Sequence, residues 1–243
     1  VYSGGTGRPY FVEGVGEDFW PSAYDPSVPH EIIAVSDAES FAMTRRLARE
    51  EGILVGGSSG MAVVAALKAA ASAGPDDVFV VLLPDSGRGY LGKIFNDKWL
   101  RAYGFGNAPA GHTVRNLLDA KAGRTAPLVY VHPSDTVREA IDRMTETGVS
   151  QLVVLSAEPP VVLGEVLGAL HEGELLDQVF SGRAKLTDEV SSVVGDPLPL
   201  IGVNEPVATA RHAFGGASAM LVTDGGKALG VVTRTDLLAY LSS

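Results

Sequence analysis

The order of apolar and polar positions in the second half of the chain predicts one set of elements, built twice. Apolar runs at 129–131 and 151–155 have the length of strands. Between them, the segment 136–147 places its apolar residues at helical spacing, which indicates one buried face. The same order of strand, helix and strand returns in the segments 198–203, 207–214 and 219–223.

A direct repeat follows each of these sets. The stretches 167–176 and 229–238 align without a gap. Each contains an apolar strand that includes a glycine, then a few polar residues and the start of a Leu-rich helix. The Asp-Gly-Gly turn at 224–226 predicts a tight hairpin, since glycine adopts the positive φ that such turns need. Both copies therefore have the order β-α-β-β-α. A unit of about 60 residues has too little core of its own, so we expect the two to pack on each other.

The second copy carries a motif that points to a ligand. The repeated pattern resembles a tandem pair of CBS domains, in which an adenosine-containing ligand binds between the copies and a Gly-h-x-Ser/Thr-x-x-Asp motif marks a competent site. Gly230, Thr233 and Asp236 match this motif. A carboxylate at this spacing can accept hydrogen bonds from the two ribose hydroxyl groups. Thr-x-x-Asp before an apolar run is also an ordinary helix-capping box, and this alternative stays open.

The first copy departs from the motif, because His171 and Glu174 stand at the Thr and Asp positions. We expect that half-site to bind weakly or not at all. The resemblance implies that Ser150 and Gln151 of the first copy, with Val231 of the second, complete the occupied cleft. It favours S-adenosylmethionine as the regulatory ligand, with AMP or ATP as the alternative. The lack of a basic cluster around the second copy's motif agrees, since a phosphate group would require one.

The first third of the chain has the alternation of helices and strands typical of an α/β domain. A capping box at 36–39 opens a helix that Gly52 ends, and an Ala-rich helix is predicted over 59–73. Apolar runs at 53–55 and 78–83 are predicted as buried strands, the second of the kind found within parallel sheets. Loops that follow such strands commonly line a ligand crevice.

The most informative motif of this region is Gly-Gly-Ser-Ser-Gly at 56–60, between a predicted strand and a predicted helix. It lets the backbone approach a ligand at a helix N-terminus, but it is equally an ordinary turn with an N-cap. Together with the motifs at 12–19, 83–88 and 95–99, it resembles the C-terminal part of the catalytic domain of fold-type II pyridoxal-phosphate enzymes, specifically the cystathionine beta-synthase family. The resemblance covers nearly all of residues 1–105, and the CBS pair follows in the family's order.

This resemblance implies roles for five residues. Ser58 would hydrogen-bond the pyridine nitrogen of the cofactor, pyridoxal 5'-phosphate, and a neutral hydroxyl there would temper the cofactor's capacity to accept electrons. Pro84 and Asp85 would lie near the pyridine edge. Gly14 and Gly16 would line the substrate side, where a side chain would collide with the cofactor or substrate.

The resemblance also marks what this stretch of chain does not supply. Glu17 stands where some members of the family have Tyr, and we assign it no catalytic role. The family's Schiff-base lysine and phosphate loop lie upstream of the matching region, so residues 3–9 are interpreted as a surface loop. Lys68 and Lys93 are interpreted as solvated charges. Because Val1 is not an initiator Met, we expect the chain to start inside a larger protein.

The reaction implied is the condensation of serine with homocysteine to cystathionine and water, a β-replacement on a small amino-acid substrate. By itself the chain would be catalytically incomplete. Two alternatives stay open. One is a β-replacement enzyme of the cysteine synthase type, and the other is a non-catalytic sensor of an adenosine ligand.

Composition narrows the remaining classes. The chain has 243 residues, 46% of them hydrophobic, and its net charge of −10 argues against a nucleic-acid partner. No apolar run is long enough to span a membrane, so we expect a soluble, cytoplasmic protein. The absence of Cys excludes disulfides and a thiolate nucleophile. The resemblance further implies a homo-oligomer, either a dimer or a tetramer.

The fold class expected from these observations is α/β. Residues 1–105 would form part of a fold-type II parallel-sheet domain, and the Gly-rich stretch 106–112 would be a linker. Residues 113–182 and 183–243 would form the two CBS domains, packed as a pseudo-two-fold pair.

Overall fold

The structure, a computed structural model, describes residues 7–15, 19–106, 111–122, 126 and 128–242. It contains two compact units, Val1–Leu100 and Arg101–Ser243. This division lies slightly before the boundary expected at residue 105, and residues 107–110 of the expected linker lie outside the described residues. Among the described residues, no helix is both long and apolar enough to cross a bilayer.

The first unit is built around two helices, α1 (Asp37–Glu50) and α2 (Gly57–Ala69), and a short helix α3 (Asp97–Ala102) follows them. The predicted capping box opens α1, since the Glu39 N–H donates to Ser36 Oγ at 3.3 Å and the Ser36 N–H donates to Glu39 Oε2 at 2.9 Å. The two helices pack closely where α2 carries Gly60, because a Cβ there would overlap the backbone of α1.

The two strands expected in this unit do not form, and these predictions are wrong. Of the run 53–55, only Val55 makes an isolated bridge, to Ser86. The run 78–83 has no strand partner among the described residues, and Val78 and Val80 are 88% and 94% exposed. An apolar run becomes a strand only where a neighbouring strand completes its hydrogen bonds, and the described residues of this unit offer none.

The second unit contains two sheets and five helices among its described residues. Its helices are α4 (Val114–Ala122), α5 (Val137–Thr147), α6 (Glu172–Phe180), α7 (Val207–Ala213) and α8 (Arg234–Leu241). Its strands are β1 (Tyr130–Val131), β2 (Gln151–Leu155), β3 (Val161–Val162), β4 (Val166–His171), β5 (Leu200–Gly202), β6 (Ala219–Asp224) and β7 (Lys227–Thr233). The orders are β1-β2-β4 and β3-β7-β6-β5.

The two copies have the predicted order of elements. In the first copy, β1 is parallel to β2, and β2 is antiparallel to β4. In the second copy, β5 is parallel to β6, and β6 is antiparallel to β7. The predicted hairpin joins β6 to β7, where Gly225 and Gly226 have φ values of 53° and 78°. Helix α5 begins at a Thr136–Glu139 capping box and ends at Gly148, which is left-handed with φ of 65°. The β-α-β-β-α interpretation is confirmed.

Each copy is completed by a segment from elsewhere in the unit. Helix α4 precedes the first copy in sequence, yet its apolar residues pack into the core of the second copy, beside Ile201 and Phe214. The segment 184–194 precedes the second copy, yet it packs into the core of the first. A third apolar cluster contains Val153 and Leu221, one from each sheet, so the two sheets face each other.

Matching backbone hydrogen bonds hold the two crossing segments in place, so the crossing has pseudo-two-fold symmetry. Before α7, the Val207 N–H donates to His112 O at 3.0 Å and the Val114 N–H donates to Glu205 O at 2.8 Å. Before α5, the corresponding bonds run from Val137 to Asp188 O at 2.9 Å and from Val190 to Asp135 O at 2.8 Å. The start of α4 therefore corresponds to the segment that begins near residue 190.

Candidate functional site

The structure brings the five residues predicted for the regulatory ligand to one cleft between the two copies. This second-copy cleft has a volume of about 390 Å³, and Ser150, Gln151, Val231, Thr233 and Asp236 all line it. Its other lining residues are Lys121, Ala126, Val129, Gly148, Val149, Gly216, Ser218, Arg234 and Thr235. The predicted groups from both copies thus share one cavity wide enough for a small molecule.

Thr233 and Asp236 form a capping box at the start of α8. The Asp236 N–H donates to Thr233 Oγ1 at 3.1 Å, and Asp236 Oδ2 accepts from the N–H and the hydroxyl of Thr233, both at 2.8 Å. The capping alternative is therefore present in the structure. It does not use the whole carboxylate, since Oδ1 accepts no hydrogen bond from the described residues and the side chain is 20% exposed.

Lys121 is a feature of this cleft that sequence reasoning missed. It lies near the end of α4 and its side chain is only 10% exposed. Its Nζ donates to Val231 O at 2.9 Å and to Asp236 Oδ2 at 3.0 Å. No sequence motif marks this lysine, because it lies 115 residues before Asp236 and reaches the cleft only through the crossing of α4.

The expectation that no basic cluster lies around Thr233 is wrong. Arg234 also lines the cleft, and its guanidinium donates to Gly215 O at 2.5 Å. The side chains that line the cleft thus carry two positive charges, on Lys121 and Arg234, and one negative charge, on Asp236. The second-copy cleft is therefore suited to a ligand that carries an anionic group.

The equivalent cleft on the other side has the opposite charge. This first-copy cleft, of about 760 Å³, is lined by Ser150, Gln151, His171, Glu172, Gly173, Glu174, Gly195, Asp196, Pro197, Leu198, Pro199, Gly216, Ala217, Ser218 and Ala219. Three of these are carboxylates and none is Lys or Arg. His171 heads α6 without a side-chain capping bond. The compact Thr–Asp arrangement of the second copy is absent here.

In the first unit, the predicted Ser58 lies in the first turn of α2 and is half-buried. Asp85 lies against the start of the same helix, since a Cβ on Gly56 would overlap its carboxylate. Asp85 Oδ2 accepts a 2.6 Å hydrogen bond from Tyr90, which raises the pKa of the Tyr90 hydroxyl to about 12. Two predicted groups, Ser58 and Asp85, are therefore brought to the same helix end.

The remaining predicted residues of this unit are less clustered. Gly14 has φ of 74°, a conformation that favours glycine, and it is exposed. Pro84 is exposed beside Asp85. Gly16 and Glu17 lie outside the described residues.

Two polar atoms near α2 fit the requirements of the predicted cofactor. Ser59 Oγ and Asp85 Oδ1 are buried, and neither has a hydrogen-bond partner among the described residues. Gly56 is in close contact with the Asp85 and Tyr90 side chains, which occupy the place that a side chain on Gly56 would need. A planar ligand with polar ring substituents, such as pyridoxal 5'-phosphate, would supply partners for the two unpaired polar atoms.

Comparison with known protein families defines the class. Residues 2–85 match the family described as "Pyridoxal-phosphate dependent enzyme", and residues 124–181 and 190–243 match "CBS domain" twice. The chain therefore joins part of a pyridoxal-phosphate-dependent enzyme domain to a tandem pair of CBS domains.

The particular relatives are cystathionine beta-synthases, which confirms the resemblance inferred from the motifs. The chain is 34% identical to that of Dictyostelium discoideum, over 97% of this chain and 49% of the relative. It is 33% identical to that of Mus musculus, over 84% and 36% respectively, and 31% identical to that of Oryctolagus cuniculus, over 96% and 44%. The chain thus spans half or less of the length of these relatives.

Solved structures of CBS-domain proteins also align with it. A putative signal-transduction protein from Burkholderia ambifaria is 21% identical, with 54% of this chain and 93% of that chain covered and a TM-score of 0.46. A CBS-domain protein from Agrobacterium tumefaciens is 24% identical, with 55% and 98% covered and a TM-score of 0.45.

Proposed function

We propose that the intact protein is a cystathionine beta-synthase that condenses serine with homocysteine, and that its CBS pair binds an adenosine-containing regulator. Similarity to the relatives over most of the chain supports the reaction. The observation that carries the regulatory part is the placement of Ser150, Gln151, Val231, Thr233 and Asp236 around one cleft.

In the catalytic part, this chain would supply one wall of the cofactor site. The cofactor, when bound, supplies an electron-accepting ring for β-elimination and β-replacement. Ser58, in the first turn of α2, would hold the ring nitrogen through a neutral hydroxyl. Asp85 would lie near the ring edge, with its proton-donating partner Tyr90 held protonated by the raised pKa. Pro84, Gly14 and Gly16 would shape the same wall and its substrate side.

The catalytic proposal is tested on the intact protein by its visible spectrum. A lysine-linked cofactor should give a visible absorption band that borohydride treatment removes. A Ser58→Ala variant should keep the band and lose turnover, while Ser72→Ala, in the turn that follows α2, should change neither. A colourless intact protein would contradict the enzyme assignment and favour a sensor without catalysis.

In the regulatory part, the ribose hydroxyl groups would bind the carboxylate of Asp236, and Thr233 would hold that carboxylate in place. The family resemblance favours S-adenosylmethionine, with AMP or ATP as the alternative. Lys121 and Arg234 suit the methionyl carboxylate of the first as well as the phosphates of the others. Titration calorimetry with each ligand distinguishes them, and tighter binding of ATP would overturn the preference for S-adenosylmethionine.

The role of Asp236 is tested by replacing it with Ala in the full chain. Loss of a charge-assisted ribose contact should weaken ligand binding by about 1 to 3 kcal/mol, whereas Glu174→Ala, at the aligned first-copy position, should have little effect. Thermal unfolding of both variants provides a control for the lost cap of α8. Unchanged affinity in Asp236→Ala would show that the carboxylate only caps the helix.

Self-association is proposed as well, as a homo-dimer or homo-tetramer. Helices α6 and α8 expose apolar side chains, with Phe180 87% and Leu241 66% exposed. Light scattering on the full chain measures the mass directly, and a monomer at working concentration would contradict this part of the proposal.

A further inference from the structure

The carboxylate of Asp236 is already engaged at one oxygen. Oδ2 accepts hydrogen bonds from the Thr233 N–H, the Thr233 hydroxyl and the Lys121 ammonium, at 2.8, 2.8 and 3.0 Å. A carboxylate oxygen offers about two lone pairs, and three donors already share those of Oδ2, so this oxygen has no capacity for another. Oδ1 is the oxygen that takes no hydrogen bond from the described residues.

A ribose diol that binds both oxygens of this carboxylate must therefore displace a donor from Oδ2. The two Thr233 contacts belong to the cap of α8 and are fixed by the backbone. Lys121 reaches the cleft on a flexible stem of four carbons, so its ammonium is the donor that leaves. The ammonium and the ribose hydroxyl groups consequently compete for Asp236.

The displaced ammonium then needs a new partner. The Lys121 side chain is 10% exposed, and a buried ammonium without a counter-ion is strongly unfavourable. Asp236 is the acidic residue that lines this cleft, and Arg234 adds a second positive charge to it. A ligand that carries its own anionic group supplies the missing counter-ion, and a neutral nucleoside does not.

We propose that Lys121 is the specificity-determining residue of the second-copy cleft. It disfavours adenosine itself by competing for Asp236, and it favours adenosine ligands whose tail carries a phosphate or carboxylate, with which the displaced ammonium pairs. The inference rests on the proposed binding of an adenosine ligand and names the chemistry that the cleft selects within that class.

The other cleft supports this assignment by contrast. The start of α4 corresponds to the segment near residue 190, and the stretch 190–199 contains no Lys or Arg. At the equivalent place, the stretch 190–199 contributes Asp196 to the first-copy cleft, which Glu172 and Glu174 also line. Lys121, one of the two positive charges at the second-copy cleft, thus comes from the segment that crosses between the copies, whereas Arg234 lies within the repeated stretch 229–238.

The test is titration calorimetry on the full chain with adenosine, AMP and S-adenosylmethionine. Adenosine and AMP differ only in the phosphate, and S-adenosylmethionine tests the carboxylate as the anionic source. The variant is Lys121→Met, which keeps an unbranched side chain one atom shorter and removes its charge. Lys121→Arg keeps the charge, and Lys227→Met removes an exposed lysine that does not line the cleft.

In the unchanged chain, AMP or S-adenosylmethionine, each of which carries an anionic group, should bind about tenfold or more tightly than adenosine. Lys121→Met should bind adenosine more tightly than the unchanged chain does and the ligand with the anionic group more weakly, so that their affinity ratio falls about tenfold or more. Lys121→Arg and Lys227→Met should retain the ratio. Thermal unfolding confirms that each variant is folded.

The outcomes separate the two proposals. If Lys121→Met lowers all affinities equally, or leaves the affinity ratio unchanged, the lysine only supports the structure and the inference is overturned. If Lys121→Met does not fold, Lys121→Arg decides, because an altered ratio with the charge retained contradicts the account. If no adenosine ligand binds either the unchanged chain or the variants, the proposed regulatory function fails, and the inference fails with it.

Discussion

The two clefts of the CBS pair share a backbone plan and differ in charge. Both are formed by the end of a third strand, the start of the following helix and the loops of the opposite copy. In the second copy, Thr233 fixes the carboxylate of Asp236 and Lys121 neutralises it. In the first, Glu174 stands at the aligned position among other carboxylates, and none of the residues that line this cleft is Lys or Arg. A duplicated fold therefore does not imply a duplicated site.

The difference originates in the crossing segments. The motif positions come from the repeat, but α4 adds Lys121 to one cleft, whereas the stretch 190–199 adds Asp196 to the other. Those segments are equivalent in their backbone hydrogen bonds and in their buried apolar residues, but they differ in the charged side chains that they bring to the clefts. The charge of each cleft thus depends in part on a segment that packs on one copy and adjoins the other in sequence.

The largest expected effects concern the two cores. Leu152 and Met220 occupy the same position in the two copies, and both side chains are fully buried, in separate clusters. Leu152→Ala and Met220→Ala should each lower the free energy of unfolding by about 2 to 5 kcal/mol in urea titrations. Leu238→Ala, which shortens an exposed side chain, is the control. Because segments cross between the copies, both variants should show one transition, and separate unfolding of one copy would contradict the crossing.

An intermediate effect is expected at Gly168 in β4. A Cβ there would overlap Gly195 O, in the segment that crosses into the first copy. Gly168→Ala should lower the free energy of unfolding by about 1 to 3 kcal/mol. Gly173→Ala, in α6 with no atoms close to the added carbon, should instead raise it by up to about 1 kcal/mol. Equal effects of the two changes in urea titrations would argue against the close contact of β4 with this segment.

The smallest expected effect is a pH dependence confined to the first copy. His132 donates from Nδ1 to Leu155 O at 2.8 Å, and this bond, with Glu158 beside Nε2, raises its pKa above the ordinary 6.5. A group whose pKa is raised on folding stabilises the fold below its unfolded pKa, and this stabilisation is lost as pH rises through the folded pKa. Gly202 stands at the corresponding position of the second copy.

His132→Gln is the variant that tests this. The melting temperature of the unchanged chain should fall relative to that of the variant as pH rises from below 6.5 through the raised pKa. A parallel pH profile of the two proteins would show that the imidazole charge does not contribute. A difference that grows toward low pH, to the disadvantage of the unchanged chain, would reverse the sign.

Much of the second unit was predictable because its signals are local. The Thr136–Glu139 capping box, the left-handed Gly148 and the Asp-Gly-Gly hairpin each act within a few residues, and the structure has all three. The strand prediction at 78–83 is wrong because strand formation depends on a partner strand, which an apolar run does not specify.

The same distinction applies to the site. Thr233 and Asp236 are close in sequence and form a motif, whereas Lys121 meets Asp236 only through the crossing of α4. Its identity as a buried, paired lysine depends on three-dimensional packing. One lysine in an amphipathic helix carries no sign of that role.

The most direct measurement of the central claim is the stoichiometry of adenosine-ligand binding to the full chain. An asymmetric pair of clefts predicts one ligand per chain, bound in the second-copy cleft and weakened in Asp236→Ala, with Glu174→Ala unchanged. Two equivalent ligands per chain would contradict this asymmetry. So would binding that survives Asp236→Ala and disappears in Glu174→Ala.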